Sequence, residues 1–163
     1  MFVTLTTRAS SMGMFFLVTA LVAMCVGTSA RAQQALKLEP LVIETTAGKR
    51  VFQVEVARTD EQRAIGLMWR EQMDLDKGML FDFGVEGYVV MWMKNTQLSL
   101  DVLFISTDGR IATLATRTKP YSTERIYSGA KVGAALELLA GSAERLGIVP
   151  GDLVRHSMFG DPP

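Results

Sequence analysis

Gly78 to Ala115 reads GMLFDFGVEGYVVMWMKNTQLSLDVLFISTDGRIATLA, four short apolar runs separated by turn-forming residues. Runs of this length, bounded by Gly, Asp, Asn and Ser, are strands. The first, Gly78 to Phe83, stops at Gly84. The second, Tyr88 to Asn95, is apolar at nearly every position, the pattern of a strand covered on both faces. Leu100 to Ser106 and Arg110 to Ala115 flank Asp108-Gly109, which predicts a two-residue hairpin of type I′.

Upstream, Leu41 to Glu44 and Val51 to Val56 read as strands around a turn at Ala47-Gly48. Thr59-Asp60-Glu61-Gln62 is a capping box, and a helix is expected from it to about Arg70, with Ala64, Leu67 and Met68 on one face. Gly66 inside that helix signals a close approach. Downstream, Thr116 to Ser122 is a loop, and Ala134 to Leu139 suits a helix or a strand equally. A short helix, Ala143 to Leu146, lies between Gly141-Ser142 and Gly147. Pro150-Gly151-Asp152 is a turn before a last strand, Leu153 to His156. The pattern predicts a mainly β chain, a single jelly-roll-like sandwich or barrel-like domain with one or two short helices.

The N-terminus has another character. Met12 to Val26 is uncharged and apolar, and Ala30-Arg31-Ala32 follows it. This is the pattern of a signal peptide, residues 1–32, cleaved before Gln33. The run is too short to span a bilayer, which needs roughly 18–20 apolar residues, so no stable membrane span is expected after cleavage. Met24 before Cys25 argues against a lipoprotein. The expected organisation is a linker at 33–40, one β-rich domain at 41–158 and a tail at 159–163, in a protein that is periplasmic or secreted.

Composition excludes several chemistries. The leader removes Arg8 and Arg31 and no acid from a chain with 17 basic and 17 acidic side chains, so no basic excess favours nucleic acid as a partner. The one Cys, Cys25, lies in the leader, which leaves the expected mature domain without disulfide or thiol nucleophile. His156 is the one His, so a multi-His zinc site is excluded, and no Gly-x-Ser-x-Gly turn occurs. No cofactor is expected.

The candidate site is the end of the second strand. A loop from Thr96 to Ser99 would set Lys94 opposite Asp101 and Met91 opposite Phe104. One reading makes Lys94–Asp101 a structural ion pair and Met91–Phe104 a core contact. The sharper reading takes Trp92, Lys94, Asn95, Thr96 and Asp101 as a ligand rim. An aromatic plate with amide, ammonium and carboxylate suits a carbohydrate or another polar small molecule. Arg63, Arg70, Asp82 and Glu137 are supporting candidates. Asp82, Asp101 and Glu137 interrupt apolar stretches, where a charge needs a partner, and ion pairs with Lys94, Arg63 or Arg70 would supply one. Met91 and Met93 stand two apart and could converge on Cu(I), although a core role is the expectation.

Six motifs occur in order: Gly66-Leu67-Met68-x-Arg70, Gly78-Met79-Leu80-Phe81-x-Phe83, Trp92-Met93-Lys94-Asn95-Thr96, Leu100-Asp101-x-x-Phe104-Ile105, Leu136-Glu137 and Gly151-Asp152. Together, over about residues 42 to 156, they resemble domain-of-unknown-function family 192, also called uncharacterised protein family 0127. The resemblance implies a small jelly-roll-like or barrel-like domain, often behind a signal peptide or anchor, in which Ala134 to Leu139 is a strand. It supplies no activity. Two positions depart from the family pattern: Ser99 stands where Pro is frequent, and Met91 where an aromatic is frequent. The functional expectation is an exported binding or accessory module for a small molecule or cell-envelope component. The alternatives are a carboxylate-dependent enzyme acting on envelope material and a periplasmic Cu(I)-binding protein.

Overall fold

The computed structural model describes residues 36–160. The predicted leader with Cys25, and the predicted cleavage point before Gln33, lie outside them. The chain runs β1 (Leu38–Thr45), β2 (Gly48–Ala57), α1 (Asp60–Ile65), β3 (Lys77–Met91), β4 (Leu100–Ile105), β5 (Ile111–Ala115), β6 (Ile126–Leu139), α2 (Ser142–Leu146) and β7 (Leu153–Arg155). The strands form one sheet in the order β5-β4-β6-β3-β2-β1-β7. β2 and β3 run parallel, joined by the crossover that carries α1, and the other neighbours are antiparallel. The two edge strands meet at one end. Arg110 bridges to Leu153, and Val154 N donates to Gly109 O at 2.8 Å. The sheet is therefore curled on itself, which realises the barrel-like form of the expected fold.

Side-chain alternation builds two apolar layers on this sheet. Ala134, Leu136 and Leu138 of β6 join Leu41, Phe52 and Leu80 in one cluster, sealed by Ala143 of α2 and Ile148. Ala135 of the same strand faces the opposite way and joins Met79, Phe81, Val102 and Phe104. Leu67 and Met93, from the segments after α1 and after β3, cover this second face. Both faces of β6 are thus buried from Val132 to Leu138, as expected of a run with continuous apolar character. The strand reading of Ala134 to Leu139 holds within β6.

Several local expectations change. The runs 78–83 and 88–95 merge into β3, with an irregularity between Asp82 and Gly87. The far part of β3 is not covered on both faces: Tyr88 and Val90 are exposed beside Tyr127 of β6. β3 and β4 do not form a hairpin, because β6 lies between them. The capping box forms as predicted, with Gln62 N donating to Thr59 Oγ1 at 3.1 Å and Gln62 Oε1 accepting from Thr59 N at 3.0 Å. The helix ends earlier than Arg70, at Ile65, because Gly66 takes φ 50° and ψ −131°. A Cβ there would lie 3.1 Å from Phe81 Cζ, so the glycine allows that ring to pack against the backbone. The Asp108-Gly109 turn holds three residues rather than two. Gly109 N donates to Ser106 O at 3.0 Å and Gly109 has φ 84°, while Asp108 keeps negative φ, the arrangement of a bulged three-residue loop. Residues 38–40, read as linker, belong to β1.

Candidate functional site

Glu137 sits in mid-strand, paired with Met79 of β3 on one side and Val102 of β4 on the other. Its backbone is committed to two ladders. Its side chain leaves on the same face as Ala135, into the second apolar layer. It is 4% exposed. Among the described residues no hydrogen bond or ion pair reaches its carboxyl, and burial pushes its pKa up to about 8. A buried polar group without a partner costs roughly 1–3 kcal/mol, so its presence asks for a reason.

The carboxyl belongs to a pocket of about 270 Å³. Arg63 and the turn Gly66-Leu67-Met68 form one wall, Phe81 and Phe83 of β3 another, and Met91, Trp92 and Thr96 a third. The first and third walls are tied together. Trp69 N donates to Asn95 O at 2.8 Å, and Asn95 Nδ2 donates to Met68 Sδ at 3.8 Å. Both turns use left-handed backbone, Trp69 at φ 61° and Asn95 at φ 56°. For non-glycine residues this is uncommon and must be held by surrounding contacts. Thr96 is buried, and its hydroxyl donates to Lys94 O at 3.2 Å, leaving only oxygen lone pairs for other partners.

The predicted site residues divide between two faces of the sheet. Trp92 and Thr96 line the pocket, and Asn95 braces its wall. Lys94 lies outside, with Nζ 5.6 Å from the Trp92 ring centroid, a cation–π contact. Asp101 is elsewhere. It pairs with Leu138 of β6, not with Lys94, and turns toward the first apolar layer. There Oδ1 accepts from Arg117 N and Oδ2 from Ala143 N, each at 2.9 Å. The expected Lys94–Asp101 pairing is therefore not formed, since it depended on the β3–β4 hairpin. Asp101 satisfies an N-terminal amide of α2 instead.

Of the supporting candidates, Arg63 and Glu137 reach the pocket. Arg63 is tied down: Nη1 donates to the carbonyls of Arg58 at 2.7 Å and Asp82 at 2.6 Å, and Nη2 to Asp60 Oδ1 at 2.5 Å. Arg70 is engaged bidentately with Glu55, at 2.5 and 2.8 Å. Burial raises the Glu55 pKa, but Arg70 outweighs it and the net shift is downward. Asp82 accepts from Gly84 N at 2.8 Å. The ion pairs expected of Asp82, Asp101 and Glu137 with Lys94, Arg63 or Arg70 thus do not form; two of the three carboxylates use backbone amides. Met91 lines the pocket, while Met93 is 1% exposed in the second apolar layer. Among the described residues no group of three or more His, Cys, Asp or Glu is placed to hold a metal ion.

Sequence reasoning missed the wall at Gly66-Leu67-Met68 and the ring pair Phe81 and Phe83. Gly66, a glycine inside a predicted helix, was one signal, and both stretches stand among the six family motifs without being assigned to the site.

The family model described as Uncharacterized ACR, domain-of-unknown-function family 192, matches residues 42–156. A solved structure from Sinorhizobium meliloti 1021, named as a candidate transcription regulator, is 44% identical. It covers 76% of this chain and 97% of its own, with a TM-score of 0.74. A protein of unknown function from Novosphingobium aromaticivorans DSM 12444 is 35% identical over 76% of this chain and 89% of its own, also with a TM-score of 0.74. No curated protein matches the chain.

Proposed function

The chain belongs to domain-of-unknown-function family 192, and from that premise we propose that it is an exported small-molecule-binding module whose site is the pocket floored by Glu137. The observation that carries this reading is the unpartnered Glu137 carboxyl, 4% exposed, in a pocket whose other lining residues, apart from Arg63 and Thr96, are apolar or aromatic. Ligand sites commonly join an apolar cleft to a few convergent polar groups, and strongly displaced pKa values gather at such places. Export rests on the leader pattern of residues 1–32.

The composition of the walls refines the ligand. A carbohydrate presents hydroxyls on every side and needs many polar partners. Besides Arg63, whose guanidinium is anchored elsewhere, the polar side chains of the lining are Glu137 and Thr96. A molecule with an apolar body and one polar end fits better. At about 270 Å³ the pocket lies just under the roughly 300–1,000 Å³ of drug-sized ligand sites, so a small molecule fits. The alternative of an enzyme with paired carboxylates loses support, since Glu137 is the one carboxylate of the lining.

A fragment set of molecules of this size, followed by backbone amide shifts on the purified protein, tests the reading. Hits are expected to move the amides of Leu67, Met68, Thr96 and Glu137 together. Hits that map only to the exposed Tyr88–Tyr127 surface, or no hits at millimolar concentration, would overturn it.

A further inference from the structure

We infer that the Glu137 pocket takes an organic cation, a small apolar molecule ending in a protonated amine. The inference rests on the proposed binding site and names its ligand class.

Glu137 brings two carboxyl oxygens that no donor of the described residues reaches. Thr96 has spent its hydroxyl hydrogen on Lys94 O, so only lone pairs remain for the pocket. Arg63, the other charged residue of the lining, has its guanidinium anchored on two carbonyls and on Asp60. The neighbours that face Glu137 across the sheet are Met79 of β3 and Val102 of β4, both apolar. The nearest other acids serve elsewhere: Asp82 accepts from Gly84 N, and Asp101 lies on the opposite face of the sheet. Apart from the proton that Glu137 carries while neutral and the N–H groups of Arg63 beyond those three bonds, the free polar functions of the pocket are therefore acceptors.

An anionic ligand would meet the Glu137 oxygens, and the one cation of the lining, Arg63, is already paired with Asp60. A cation would supply the missing partner, and a buried carboxylate is tolerable once it is paired and hydrogen-bonded. The remaining walls suit the same ligand. Trp92, Phe81 and Phe83 offer aromatic surfaces, and Met68 and Met91 polarizable thioethers.

Binding would be linked to a proton. The free pocket holds Glu137 protonated below about pH 8 because burial disfavours its charge. The ammonium of a simple amine stays charged there, near the lysine value of about 10. The competent state is the ionised carboxyl, so the apparent Kd should fall about tenfold per pH unit as pH rises toward 8.

Calorimetry on the purified protein decides the matter with three probes of about the same size: phenethylammonium, 2-phenylethanol and phenylacetate. The ammonium should bind about tenfold or more tighter than the alcohol at pH 7.5. Parallel titrations at pH 7 in buffers of different ionisation enthalpy should show close to one proton released per amine bound. Glu137→Gln should abolish both the preference and the proton release while still binding the alcohol. The proton release in the unaltered protein stands as a test if that variant folds poorly. Alcohol or phenylacetate binding as tightly as the amine, or amine binding without proton release, would overturn the cation assignment and leave the pocket reading intact. Failure of all three probes to bind would sink both.

Discussion

Glu137 and Asp101 are buried carboxyls on neighbouring strands, and the amides available to each separate their roles. Asp101 accepts two backbone N–H groups; Glu137 accepts none among the described residues. Desolvation without compensation raises the Glu137 pKa from 4.5 to about 8. The sign of the linkage follows. The unfolded chain gives up this proton near pH 4.5 and the folded chain near 8, so its contribution to stability is fully present below 4.5 and lost as pH rises through 8. A displacement of that size corresponds to about 5 kcal/mol at most. Denaturant midpoints should fall between pH 5 and 8.5, and Glu137→Gln should flatten that fall; an unchanged slope in the variant would place the carboxyl in contact with a counter-charge. His156 carries the opposite sign. It is 1% exposed, its Nδ1 accepts from Met158 N at 3.2 Å, and its Nε2 lies 3.4 Å from Glu39 Oε2 without the alignment of a hydrogen bond. Burial lowers its pKa below 6.5, Glu39 and Asp82 oppose that, and Arg58 adds to it. The folded state resists protonation, so stability is present above pH 6.5 and is lost as pH falls through the lowered value. His156→Gln should remove this acid-side loss, read as melting temperature from pH 7 to 5.

The placement of β4 illustrates what could be read beforehand and what could not. Local signals held: the Thr59–Gln62 capping box, Gly147 ending α2, and the apolar runs that became strands are all written in near neighbours. Pairing is non-local. Nothing between Asn95 and Leu100 announces that β6, some forty residues onward, inserts between β3 and β4. The short loop argued for the hairpin, and with the hairpin went the Lys94–Asp101 pairing. The pocket was half legible for the same reason. Trp92 and Thr96 stood out by type, and Glu137 by its place in an apolar run. Their meeting with Gly66-Leu67-Met68 depends on the parallel β2–β3 crossover, which period and turn chemistry do not encode. A double-mutant cycle checks this placement. Asp101→Ala should cost about 2–5 kcal/mol, because two amides lose a carboxylate acceptor. Lys94→Ala should cost no more than about 1 kcal/mol, the value of an exposed cation–π contact. The double variant should match the sum within about 0.5 kcal/mol. A larger coupling would restore the direct pair.

Closure of the curled sheet depends on a small set of bonds at one end. β5 and β7 are its edges, and an open edge exposes unpaired amides. Val154 N donates to Gly109 O, Ile111 N to Asp152 O and Gly151 N to Ile111 O, at 2.8, 3.0 and 2.8 Å. Gly109 makes this approach possible twice over. Its φ of 84° lies where side chains are rarely found, and a Cβ would stand 2.7 Å from Val154 O. Val154 of β7, Ile111 of β5 and Ile43 of β1 share the first apolar layer, so the seam also keeps water from that core. Glu137 itself pairs with β3 and β4, on strands away from these seam bonds. Gly109→Ala should therefore cost about 2–4 kcal/mol through strained backbone and the displaced Val154 carbonyl. The loss should be local first. Hydrogen exchange at the amides of Val154 and Ile111 should quicken about tenfold or more beyond the amides of Leu136 and Glu137, because the seam opens without unfolding the central ladder. Uniform quickening across all strands would instead make the seam part of one cooperative unit with the pocket, and ligand binding to Glu137 would then protect Val154 as strongly as it protects Leu136.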